Sequence, residues 1–190
     1  MDKNTVVARL RPLFPFLYEA LEDAWQSTVE FFAKEQEPFD VFLAPAVFRW
    51  RAKNTLRRLQ SVIGDLHIEE LANNGLSIVY HGYRIRIWKT VDGQLPESEA
   101  SFLKDAFLRQ RQLVFGFMDI WAHVTLNLVV LWSVDPDRKL RPLKLICPRK
   151  DDTGIAPIQE EWSYQIPHPN TILGGGESKT PSTQITFEWP

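Results

Sequence analysis

The stretch "LSIVYHGYRIRIWK", residues 76 to 89, admits one strand pairing that keeps its apolar residues together. His81-Gly82 fills a two-residue turn, where glycine accepts the positive φ that such turns require. Tyr80 then faces Tyr83, Ile78 faces Ile85 and Leu76 faces Ile87. All six share one sheet face. Ser77, Val79, Arg84 and Arg86 fall on the other, with Trp88 beyond them. A slip of one residue moves the whole apolar set to the wrong side, so the register is strongly specified. The hairpin therefore demands a hydrophobic layer against one of its faces.

The flanking sequence supplies that layer. Residues 4 to 36 have helical periodicity, with Asn4 or Thr5 as cap and an interruption at Pro12 and Pro15. A longer helix is expected from Pro15, burying Leu17, Leu21, Ala24, Thr28, Phe31 and Phe32. A second covers about 41 to 63, with an apolar stripe of Phe48, Ala52, Leu56, Leu59 and Ile63 and a stop at Gly64. "DLHIEELANNG" reads as a lead into the hairpin. A third helix is expected over about 97 to 115, turning Phe102, Leu103, Ala106, Phe107, Leu113 and Val114 to a core.

"LNLVVLWSV" (126 to 134) is apolar on both faces and predicts a central strand. "DPDRK" is a turn, "LRPLKLIC" the returning strand, and "WSYQI" a further short one. The expectation is an α+β fold. Its mostly antiparallel sheet is built from two hairpins, with N-terminal helices and one helix between the hairpins. Residues 1 to 64 form a helical segment, in one domain with the hairpin–helix–hairpin core at 65 to 168. Residues 169 to 190 read as a linker-like arm, with "GGGESKTPST" before an alternating "TQITFEW".

Composition narrows the function classes. The chain has 190 residues and a formal net charge of −2, so local charge must carry any argument for a polyanionic partner. It has one cysteine, Cys147, which excludes an internal disulfide and a multi-cysteine zinc site. The N-terminus lacks a signal-peptide pattern, and no apolar run approaches the roughly 20 residues that span a bilayer. A cytoplasmic protein without membrane contact is expected.

Two basic features stand out. Residues 41 to 64 hold five cations and no acid: Arg49, Arg51, Lys53, Arg57 and Arg58. Arg49, Lys53 and Arg57 line one flank of the apolar stripe, Arg51 and Arg58 the other. Such a helix can lie against nucleic-acid phosphates. The competing reading is a solvated face whose arginines pair with the acidic helix before it. The second feature is the hairpin face of Arg84, Arg86 and Trp88, continued by Lys89. Arginines interleaved with an aromatic can hold phosphates while a base stacks. Arginine also stacks on aromatic rings within one protein.

Catalytic and cofactor patterns are weak. His67, Glu69 and Glu70 cluster locally without zinc-site spacing. Asp135, Asp137 and Lys139 can hold a metal and a phosphate, but turn chemistry places such residues there in any case. "GGGESKT" departs from a phosphate-binding loop at the glycine before Lys179, and Pro181 opposes the helix that should follow. No cofactor is expected. The sequence thus favours a non-enzymatic binding or regulatory protein that contacts nucleic acid through the basic helix and the hairpin face. The alternatives are an assembly subunit, bound to a protein partner or to its own copies through its C-terminal arm, and a metal-dependent nuclease or phosphodiesterase.

Overall fold

A computed structural model describes residues 2–35, 38–40, 42–71, 75–95, 102–110, 126–151 and 157–172. Helix α1 spans Lys3–Leu10, and one 3-10 turn, Arg11–Leu13, joins it to α2, Phe14–Lys34. The proline interruption thus falls where the sequence puts it. The cap is Asp2 rather than Asn4 or Thr5: its side chain accepts from the Thr5 amide at 2.9 Å. Helix α3, Ala44–Gln60, precedes strands β1 (His67–Glu70), β2 (Leu76–Tyr80) and β3 (Tyr83–Lys89). Helix α4, Phe102–Leu108, leads toward β4 (Leu126–Trp132), β5 (Lys144–Pro148) and β6 (Glu160–Gln165), and a short α5 covers Pro169–Ile172.

The fold is α+β, with one open six-stranded sheet in the order β1-β2-β3-β4-β5-β6. The hairpin has the predicted register, pairing Leu76 with Ile87, Ile78 with Ile85 and Tyr80 with Tyr83. His81 and Gly82 both have positive φ, 48° and 79°, which matches the right-handed twist of the flanking strands. β4 is central, as its two-sided apolarity requires. It pairs antiparallel with β5 and parallel with β3, from Tyr83–Leu126 to Lys89–Trp132. That parallel seam is the only one among the described pairings. It means that the two hairpins meet through a crossover rather than a turn. β1 was not legible as a strand: "HIEE" has a single apolar residue, Ile68, whose partner Ile78 draws it into the sheet.

The helices lie on both sheet faces. Helices α1, α2 and α3 cover Leu76, Ile78, Tyr80, Tyr83, Ile85 and Ile87, together with Leu128, Val130 and Trp132. Trp132 anchors this layer, 4.0 Å from Phe48 and 5.8 Å from Trp25 between ring centroids. The opposite face carries a smaller core of Phe107, Leu108, Val129, Leu131 and Ile146, with Trp88 packed against it. The expectation for this helix is met in part, and Leu113 and Val114 lie outside the described residues. Ala106 and Phe107 are buried, whereas Phe102 and Leu103 are exposed, because α4 seats only its last turns on the sheet. Phe31, also expected in the core, is partly exposed on α2.

The buried Tyr18 hydroxyl is satisfied on both sides. The Tyr18 hydroxyl donates to the Ile166 carbonyl at 3.0 Å and accepts from the Leu143 amide at 2.8 Å. Burial raises the Tyr18 and Tyr80 hydroxyl pKa values, and it pushes the Cys147 thiol up to about 12, with Glu161 adding to it. Each group stays neutral in the folded chain at pH values where the unfolded chain ionises it. The unfolded state then binds fewer protons, so stability present below about pH 9 is lost as pH rises toward 12. Urea midpoints measured at pH 7, 9 and 10.5 (about these values) should fall steadily over the last step. Cys147 should resist a thiol reagent in native protein and react once it unfolds.

Candidate functional site

Helix α3 lies on one side of the sheet and the Arg84–Arg86–Trp88 row on the other. The pleat fixes this. Tyr83, Ile85 and Ile87 face the α1–α3 layer, so the alternate residues of β3 must face α4. The two basic features of the sequence therefore do not form one patch.

The hairpin row is engaged inside the protein. Arg84 Nε donates to Glu69 Oε1 at 2.9 Å, and the Glu69 side chain also accepts from the buried Ser77 hydroxyl. Glu69 comes into reach because β1, a strand the sequence does not reveal, pairs with β2. The Arg86 guanidinium sits 4.3 Å from the Phe107 ring centroid. Burial lowers its pKa, Glu69 pulls the other way, and Arg84 adds to the lowering. Trp88 meets Phe107 edge-on at 5.7 Å, and Lys104 lies over its outer side. These contacts fasten α4 to the sheet by cation–π and aromatic packing.

Helix α3 is different. Phe48, Ala52 and Leu56 are buried, as the stripe predicts, and so is Lys53, which leaves the outer face. Arg57 and Arg58 are exposed; Arg49 and Arg51 are half-buried. The pairing with α2 acids does not occur for Arg49, Arg51 or Arg58 among the described residues. Arg51 instead lies 5.9 Å over the Phe31 ring, and Arg58 donates to the Thr55 hydroxyl.

Arg49 does meet part of the hairpin. It lines a cleft of about 270 Å³ with Gly75, Leu76, Ile87, Trp88, Lys89 and Trp132, where β2, β3 and β4 end. Lys89 points to the α3 side of the sheet, being in phase with Ile87, and its ammonium lies 5.9 Å from the Trp132 ring. Neither Arg49 nor Lys89 has a carboxylate partner among the described residues. Arg49 Nε is buried and makes no hydrogen bond. This is an apolar-floored cleft with two cations at its mouth, suited to an anionic group beside a ring or an apolar body.

Trp50 is not among the residues that the sequence singles out. It is 56% exposed, on the outer line of α3 seven residues from Leu43 and seven from Arg57. The available signal was a tryptophan opposite the buried stripe of an amphipathic helix. Phe42, 89% exposed, precedes the helix.

Glu69 is occupied by Arg84 and Ser77, and among the described residues no group of three or more His, Cys, Asp or Glu is placed to hold a metal ion. Asp135 Oδ1 accepts from the Lys139 amide at 2.8 Å, which is turn stabilisation. A larger cleft, about 430 Å³, is lined by Arg109, Arg149, Lys150 and Asp151. Its buried Arg109 is paired with Asp105 and Asp151. "GGGESKT" and "TQITFEW" lie outside the described residues. Among those described, no helix is long and apolar enough to cross a membrane. Family models, curated proteins and solved structures were compared with the chain, and nothing matches it.

Proposed function

We propose that this is a non-enzymatic binding protein that engages nucleic acid along the outer face of α3. The observation that carries the reading is a track of cations on and beside α3, of which Arg49 and Lys89 have no carboxylate partner among the described residues. Arg49 and Lys89 share one cleft, and Arg57 and Arg58 continue the charge along the same helix. Cations gathered along one helix of a protein of net charge −2 make a local field for a polyanion. Phosphate contacts release counterions, so binding should weaken steeply as salt rises. Titrating labelled DNA and RNA at low and moderate salt tests it. Absence of salt-sensitive binding to either polymer removes the proposal.

Phe42, Leu43 and Trp50 support a second reading, a protein partner docked on the same face. Exposed aromatics beside arginine are the residue types that dominate protein–protein interfaces. Such docking would depend on Phe42 and respond weakly to salt.

A further inference from the structure

We propose that the ligand of α3 is a single strand, with a base stacked on Trp50 and a neighbouring phosphate held between Arg49 and Lys89. This rests on the nucleic-acid reading above and narrows it. The indole of Trp50 stands in solvent on the outer line of the helix, and no ring contact engages it among the described residues. Successive helical residues diverge by about 100°, so Arg49 and Arg51 project to either side of it. On one side lies the cleft with Lys89; on the other, Arg51 rests on Phe31. An aromatic platform flanked by cations matches a chain that alternates π-face and phosphate.

A duplex matches it poorly. Paired bases hide their faces inside the stack, and a bulky indole at the centre of the helix face would hold the arginines away from the groove. The cleft adds a second constraint. Its floor of Leu76, Ile87 and Trp132 is apolar, while its mouth is cationic and contains the buried, unbonded Arg49 Nε. A flexible strand can turn one phosphate toward that mouth while the adjoining base covers Trp50. A rigid helix of phosphates cannot follow both.

The test compares an oligothymidine strand with a duplex of equal length, using fluorescence anisotropy on wild type, Trp50→Ala and Trp50→Phe. Wild type should prefer the single strand. Trp50→Ala should weaken single-strand binding about tenfold. Trp50→Phe should recover most of that loss, and neither should change duplex binding. Saturating oligothymidine should also quench indole emission in wild type and quench it less in Trp50→Phe, a readout that does not require the alanine variant to fold. Equal or tighter duplex binding, or single-strand binding unchanged in Trp50→Ala, overturns the inference while leaving the basic-helix reading in place. No binding of either polymer by wild type overturns both.

Discussion

Replacing Arg49, Arg57, Arg58 and Lys89 together by alanine should remove nucleic-acid binding, whereas replacing Arg84 and Arg86 should leave binding intact and cost stability instead. The contrast follows from what each cation touches. Arg57 and Arg58 are exposed, and Arg49 and Lys89 open onto one cleft with no carboxylate partner among the described residues. If each neutralises one phosphate of a single strand, together they contribute about 3 to the slope of log affinity against log salt. That corresponds to about fiftyfold in affinity between roughly 50 and 200 mM salt. The variant should therefore show both weaker binding and a flatter salt plot. None of the four is part of the buried core, so the thermal midpoint should move little.

Arg84 and Arg86 behave oppositely. The Arg84 side chain is 23% exposed and Glu69 is 10% exposed, so removing the guanidinium strands a mostly buried carboxylate. The expected loss is about 2 kcal/mol for that pair. Removing Arg86 also takes its stacking from Phe107, loosening α4. Purified Arg84→Ala/Arg86→Ala protein that is as stable as wild type but no longer binds would mean that this row faces the ligand after all.

The legibility of this fold depended on how local its determinants are. The β2–β3 register could be read because alternation and the His81-Gly82 turn agree over a dozen adjacent residues. The α1–α2 break was legible because proline acts on its own turn. β1 was not legible, since Ile68 is drawn in by Ile78 and not by any pattern of its own. The parallel β3–β4 seam was hidden for a related reason. It pairs segments about forty residues apart, and its register appears only when Ile85, Ile87, Leu128 and Val130 are claimed by one helical layer. The same distinction divides the candidate site. Sequence located every cation. It could not show that Arg84 would find Glu69 across the intervening strand β2, or that Lys53 would be buried on a basic helix.

Trp132→Ala should be the most destabilising single change, by about 3–5 kcal/mol. Trp132 is 2% exposed and stands where the three elements of the main layer converge. Its ring meets Phe48 of α3 at 4.0 Å and Trp25 of α2 at 5.8 Å, and Lys89 lies over it from the next strand. Truncation removes the apolar burial of an indole and leaves a cavity that Trp25 and Phe48 cannot fill without leaving their own helices. Domains of this size are stable by about 5–15 kcal/mol, so the alanine variant should retain only a small margin; Trp132→Phe keeps a ring in place and should cost less than half as much. Urea unfolding checks this through the midpoint at unchanged slope. Because Trp132 also floors the cleft beneath Arg49 and Lys89, the phenylalanine variant should bind more weakly than its stability loss explains. An alanine variant destabilised by less than about 1 kcal/mol would show that this ring is not the junction of α2, α3 and the sheet.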